Sequence, residues 1–367
     1  MEETNVSKTE KQELNIEEID SNFAVSSDLG RDDIRFLDVK KMPQLLFGLQ
    51  FDETRFFRMD EDFAATLSDG LFSCNRCTTG GRIRFRTNSP FVAVSIQLSR
   101  HEVMRHMAPS GSAGFDLYVD GRFYRAYLPS ASNMLEGYDR IEDFCDTEPL
   151  EHEIMIHFPL YNRVDHIQIG VQENAWVAEA TPYAIERPVV FYGSSITQGG
   201  CVSRPGLAYP AYISRWLDCD FINLGFSGNA KGELSMAEYI ASLDPSVFVM
   251  DYDHNAPSYE HLEATHYAFY ERFRALRPTT PVVMVTAPDI RWSKRLIARR
   301  ELILRNYETA VAAGDTRVFF VDGEALMSGD DWDSCTVDAS HPNDLGHYMM
   351  AKGIAPAVKE ALTLVKK

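Results

Sequence analysis

Positive charge is scarce in this chain. Lysine and arginine number 36 against 54 aspartates and glutamates, a formal net charge of −18 at pH 7. That balance disfavours broad electrostatic capture of a phosphate backbone or an anionic bilayer, so neither nucleic acid nor a membrane surface is expected as a partner. Long apolar runs are missing as well: no stretch approaches the roughly 20 residues of a membrane span. Cysteine is thin, six residues in 367 (74, 77, 145, 201, 219 and 335), which excludes a dense disulfide framework. The opening MEETNVSKTEKQELNIEEID lacks the apolar centre of a secretion signal, and a cytoplasmic location is expected. Repeats and low-complexity tracts are also lacking.

What is present is ordinary globular material, 45% hydrophobic and 25% charged. The length suits two domains of roughly 150–200 residues, each able to bury its own core. Residues 1–33 carry ten acids and three bases and read as a flexible acidic tail. From 34 to 180 the pattern has period two. Gly81-Arg-Ile-Arg-Phe-Arg86 alternates cationic and apolar residues, Phe91–Leu98 is apolar, and Phe115–Val119 runs through an Asp120-Gly121 turn into Arg122–Leu128. With 153–158 and 166–171, these short strands predict an antiparallel β-sandwich or jelly roll. Residues 173–187 read as a connector. Over 187–367, apolar runs at 189–192, 221–224, 247–252, 282–286 and 318–321 alternate with helical segments near 207–218, 232–242, 259–276, 293–313 and 344–364. That alternation predicts an α/β domain: a flavodoxin-like, doubly wound, five-stranded parallel sheet with its ligands at the carboxyl ends of the strands.

The residues with chemical potential lie at those strand ends. After the first strand comes Gly193-Ser194-Ser195-Ile196-Thr197-Gln198-Gly199-Gly200. A serine there suits a nucleophile on a tight turn, a phosphate loop or a helix cap. The glycines complete no dinucleotide fingerprint, and no Gly-Lys-Ser/Thr follows. Asn223-Leu-Gly225-Phe-Ser227-Gly228 follows the second strand, Asp251-Tyr-Asp253-His254-Asn255 the third, and Asp338-Ala-Ser-His341-Pro342 the last. One sheet edge would thus collect a serine, a glycine amide, an asparagine amide and a carboxylate–imidazole pair, an inventory for acyl transfer.

In these blocks the second half resembles the SGNH (GDSL-type) hydrolase superfamily, and Gly114-Phe-Asp116-Leu-Tyr118 resembles the GxDLY motif of the β-sandwich that precedes some SGNH esterases. The resemblance implies Ser195 as nucleophile, His341 as base and Asp338 as the carboxylate behind it. It implies an oxyanion hole of the Ser195 and Gly228 amides with the Asn255 side chain. Gly193-Ser194-Ser195 departs from the usual Gly-Asp-Ser, which leaves Ser194 as the fallback nucleophile. A hydroxyl at neutral pH needs such a base, and the acyl-serine would then pass to water or another acceptor.

Other candidates carry two readings each. His254 is the rival base but is expected to line the site. Arg204 reads as a contact to a polar substrate or as a structural ion pair. The loop from Ser99 to Ser110, with His101, Arg105 and His106, or else Arg125–Tyr127, is expected to overhang the catalytic edge; His106 is the candidate substrate contact. Cys74-Asn-Arg-Cys77 reads as ordinary reduced cysteine, Asp251–His254 as a site without metal, and Arg295, Arg299 and Arg300 as a solvated helix face. No cofactor is expected. The expected function is a serine esterase removing short acyl groups, acetyl above all, from a small polar or oligosaccharide ester. The alternatives are an acyltransferase with an alcohol acceptor and a carbohydrate-binding protein with an inactive hydrolase domain. Homo-oligomerisation is left open.

Overall fold

The computed structural model describes residues 19–20, 29–100, 103–129, 137–144, 151–288, 293–327 and 332–365. Most of the acidic stretch 1–33, with His101 and Cys145, lies outside them. The first half builds two antiparallel sheets. One runs Ile34–Asp38, Arg163–Gln172, Phe91–Arg100, Gly137–Asp143 in spatial order; the other runs Val177–Glu179, Arg82–Thr87, His152–His157, Phe115–Val119, Arg122–Tyr127. Alternate residues face inward, as strand geometry requires. Val92, Val94, Ile96, Ile167 and Ile169 of one sheet close on Ile83, Phe85, Phe115, Leu117, Ile154 and Ile156 of the other. This is the sandwich that the period-two pattern predicts.

On the outer face of Arg82–Thr87, Arg82 and Arg84 are buried and only Arg86 reaches solvent. Arg82 is fully buried and pairs with Asp220, while its guanidinium sits 4.0 Å from the centre of the Phe221 ring. Arg84 lies 3.7 Å from the Tyr183 ring centre. The alternation Arg-Ile-Arg-Phe-Arg therefore separates a sandwich core from a domain interface. A planar guanidinium can both stack and pair, which makes arginine suitable for that second surface.

The second half is a parallel five-stranded sheet in which Cys219–Gly225 and Val247–Asp251 flank Ile185–Gly193, followed outward by Val282–Val285 and Val318–Val321. The order 2-1-3-4-5 is the flavodoxin-like one. Strand alternation splits the core into two layers. Val189, Phe191, Val247 and Val249 meet the helices Tyr209–Leu217 and Asp344–Thr363. Val190, Tyr192, Phe248 and Met250 meet Leu234–Ser242, Tyr259–Leu276 and Lys294–Ala312.

One packing feature crosses the expected boundary. Between the sandwich strands, Asp60 and Ser68 cap two helices, Glu61–Leu67 and Asp69–Asn75. Their Ala64 and Leu71, with Met59, are wholly buried in the same cluster as Tyr192, Phe226 and Met236 of the second half. The first 150 residues thus supply part of the hydrolase core.

Candidate active site

The nucleophile turn is built around Gly193 and Ser194. A Cβ on Gly193 would stand 2.0 Å from Thr197 Oγ1 and 2.3 Å from the Asp251 carbonyl, so only glycine lets the strand turn here. The buried Ser194 hydroxyl accepts the Ile196 N–H and caps a short helix, Ser195–Gln198. Ser194 is therefore the cap, and the less buried position falls to Ser195. As the first residue of a helix, Ser195 has an N–H with no intrahelical acceptor.

Ser195 Oγ lies 2.9 Å from His341 Nε2. His341 Nδ1 donates to Asp338 Oδ2 at 2.8 Å, which leaves Nε2 as the acceptor for the serine hydroxyl. Asp338 also accepts backbone N–H groups from Ser340 at 3.1 Å and His341 at 2.7 Å, so one carboxylate fixes both the loop and the ring. Partial burial pushes the Asp338 carboxyl up, but the His341 backbone and ring hydrogen bonds outweigh it and hold it below its ordinary value. A Thr336–Pro342 bridge closes the loop.

Gly228 and Asn255 are brought together on the neighbouring loops. The Gly228 N–H donates to Asn255 Oδ1 at 3.1 Å, and Asn255 Nδ2 donates to the Phe226 carbonyl at 2.9 Å. Asn255 thus braces the Gly228 turn at two points and keeps one amide hydrogen uncommitted to it.

His254 stands beside the loop that carries His341. It lines a cavity of about 580 Å³ with Arg295, Leu296, Trp332, Val337 and Ser340, and its burial lowers its pKa. A larger cavity of about 720 Å³ runs along Val318–Val321 and contains none of the expected site residues.

Arg204, read as a substrate contact or as a structural ion pair, is engaged as the ion pair, between the sandwich and the second half. It donates to Asp116 Oδ2 at 2.9 Å and Tyr118 Oη at 3.0 Å, both in Gly114-Phe-Asp116-Leu-Tyr118. The Gly206 N–H donates to the same Asp116 oxygen at 2.8 Å, and a Cβ on Gly206 would collide with Tyr118. Burial raises the Asp116 carboxyl to about 6 against the opposing pull of Arg204 and the Gly206 N–H. The motif is thus an anchor for the chain just beyond the nucleophile helix.

The sandwich does reach the catalytic edge, through the 104–112 loop and residues 160–161. The His106 ring centre is 5.6 Å from that of His341. Tyr161 Oη donates to the Ser195 carbonyl at 3.1 Å, and Met107 and Leu160 pack with Cys201 and Val202. Arg125–Tyr127 does not overhang this edge: Arg125 pairs with Glu142, and Tyr127 is buried with its hydroxyl on the Val92 carbonyl. The Cys74 and Cys77 thiols meet the Ser227 and Tyr161 carbonyls.

Two supports escaped the sequence reading. Arg299, expected on a solvated face, is wholly buried and donates to the Asp253 and Ala256 carbonyls, bracketing the turn that holds Asn255. Its signal was available: Leu296, Arg299 and Ile303 share one helical stripe. Arg300 pairs with Asp322. Asp251, at the end of the third strand, accepts from Tyr209 Oη at 2.9 Å and Thr197 Oγ1 at 3.1 Å beneath the nucleophile helix, and burial raises its pKa strongly.

This is the build of an SGNH-type α/β carboxylic ester hydrolase behind an accessory β-sandwich. Residues 186–359 match the GDSL-like lipase/acylhydrolase family and residues 34–177 match the GxDLY N-terminus of SGNH-hydrolase-type esterases. Residues 186–359 thus form a domain of the GDSL-like lipase/acylhydrolase family. No curated protein sequence matches it. Among solved structures it is similar to a protein described as a GDSL-like lipase from Bacteroides ovatus ATCC 8483, with 28% identity, TM-score 0.79, 91% of this chain and 99% of that one covered. A salicylyl-acyltransferase, SsfX3, from a tetracycline biosynthetic pathway shares the fold at 18% identity, TM-score 0.76, over 90% and 98% of the two chains. So does a family two carbohydrate esterase from Clostridium thermocellum in complex with cellohexaose, at 15% identity, TM-score 0.59, over 90% and 100%. No helix among the described residues is long and apolar enough to cross a membrane.

Proposed function

We propose that the protein is a serine esterase that removes short acyl groups, acetyl first among them, from a small polar or oligosaccharide ester. The observation that carries this reading is the hydrogen-bond chain from Ser195 Oγ through His341 to Asp338, at 2.9 and 2.8 Å. Ser195 attacks the ester carbonyl as its proton passes to His341 Nε2; the imidazolium then protonates the departing alkoxide. The Asp338 carboxylate holds the tautomer and stabilises the charged ring. Water, deprotonated by the same nitrogen, releases the acid and restores Ser195. The Ser195 N–H and the spare Asn255 hydrogen receive the oxyanion, joined by the Gly228 N–H, which shares its proton with Asn255 Oδ1. Acyl transfer uses the same first half-reaction and differs only in the acceptor.

The polar-substrate reading is supported by the carbohydrate esterase that shares this fold, and it is an analogy at the level of fold. The test is a screen of acetylated oligosaccharides against p-nitrophenyl esters of rising chain length, with a fluorophosphonate probe run beside it. Ser195 should label, Ser195→Ala should not, and acetyl esters should be cleaved faster than long chains. A wild-type protein that neither labels nor cleaves p-nitrophenyl acetate contradicts the proposal. Titrating alcohol acceptors separates hydrolysis from transfer by product partitioning.

A further inference from the structure

We propose that His106, Cys201 and His341 form an inhibitory site for a soft divalent cation, with Zn²⁺ the best chemical match, which closes the esterase by occupying its base. One nitrogen of each imidazole and the Cys201 sulfur lie within 4.8 Å of one another. They arrive from three separate segments: the sandwich loop at 104–108, the turn after the nucleophile helix, and the loop before the last helix. Nothing in the esterase mechanism uses Cys201 or requires His106 beside His341.

The donor set is selective. Two imidazoles and one thiolate with a water in the fourth place suit Zn²⁺, whereas Mg²⁺ and Ca²⁺ require oxygen. Tetrahedral zinc, with bonds of about 2.0–2.3 Å, needs ligand atoms about 3.3–3.6 Å apart, so separations within 4.8 Å must close by no more than about 1.5 Å. His106 is exposed on a loop and meets His341 edge to face, so its side chain has room to make that movement. Cys201 is fixed from below: it is buried, packed with Met107 and Leu160, and its N–H donates to the Pro342 carbonyl, next to His341.

His341 is already prepared as a ligand. Asp338 holds Nδ1, which leaves Nε2 for the metal, and a carboxylate behind an imidazole is the arrangement metal sites use to fix a ligating ring. On binding, the Cys201 thiol releases its proton to water as the sulfur–metal bond forms. The Nε2 lone pair goes to the metal and can no longer take the Ser195 proton. Nothing is oxidised or reduced. The inhibition rests on His341 being the base; the metal binding does not.

Two readouts separate these layers. Co²⁺ added alone to the full chain should give tetrahedral visible bands and a near-ultraviolet thiolate charge-transfer band saturating at one metal per chain, and Zn²⁺ should displace it. Zn²⁺ should inhibit p-nitrophenyl acetate cleavage, and a chelator should restore it. Cys201→Ser should abolish the charge-transfer band and raise the half-inhibiting Zn²⁺ concentration by at least about 10-fold, each variant being normalised to its own metal-free rate. Cys201→Ala provides the same test should the serine variant fold poorly, and His106→Gln should shift inhibition in the same direction. Equal Zn²⁺ sensitivity of Cys201→Ser and wild type, or no Cys201-dependent band, overturns the site. A Cys201-dependent band without inhibition overturns the inhibitory role. A protein with the band but no esterase activity overturns the proposed function and leaves the site standing.

Discussion

At the scale of single residues, the arrangement around Ser195 distributes its work unevenly. Among the described residues His341 alone reaches the serine hydroxyl, so His341→Ala should abolish turnover while the unfolding curve stays in place. His254→Ala should leave much of the rate, since it lines the cavity beside Val337 and Ser340 and, among the described residues, makes no hydrogen bond to Ser195. The reverse ranking in kcat would move the base to His254. Asn255 has two tasks, bracing the Gly228 turn and donating to the oxyanion. Asn255→Ala should lower kcat by on the order of 10²–10³ with little change in KM, because the donor acts chiefly in the transition state. A change confined to KM would contradict an oxyanion role. Most of this set was legible in the sequence, because Ser195, Gly228 and Asn255 follow three successive strands and Asp338 and His341 lie just ahead of the last helix. Arg204 was not resolved, since a lone arginine beyond a turn looks the same whether its partner is a substrate or a buried aspartate 88 positions earlier.

At the scale of elements, the strands and helices of the second half lie almost where periodicity places them, because buried parallel strands leave short apolar runs between amphipathic segments. The helices Glu61–Leu67 and Asp69–Asn75 were missed. They are single short helices whose apolar residues face another domain, and a window of seven residues carries little periodic signal. Gly137–Asp143 was missed because its sequence GYDRIED is mostly polar for a strand. Arg299 shows how an element supports the site from behind. Removing it leaves the Asp253 and Ala256 carbonyls buried without their donors, a loss of about 1–3 kcal/mol for each. Arg299→Met should lower the denaturation midpoint accordingly and reduce kcat, because the turn between those carbonyls carries Asn255. An unchanged midpoint would show that other groups satisfy the turn.

At the scale of the whole molecule, stability should depend on acidity through buried imidazoles. Burial lowers His266 to about 3 and His347 to about 4, and His157 is lowered well below its ordinary value. Unfolded histidines titrate near 6.5. Between about pH 6.5 and 4 the unfolded chain takes up protons that the folded chain refuses, so stability falls as pH drops through that window. The melting temperature followed from pH 7 to 4 should decline, and His347→Gln should flatten the decline. The two halves should also unfold as one cooperative object. A chain beginning at residue 181 lacks Met59, Ala64 and Leu71 from its core and Arg82 from its interface, and should show no sharp thermal transition. A sharp transition in that fragment would make the halves independent. The shared core has a further consequence in time. Val190, the earliest second-half residue in the cluster that buries Leu71, follows Asn75 by 115 positions. At about 5–20 residues per second of synthesis, the helix pair spends about 6–23 s with its apolar side uncovered. During that interval the nascent chain presents a sticky amphipathic hairpin, and the cell's holding chaperones are its natural first contacts.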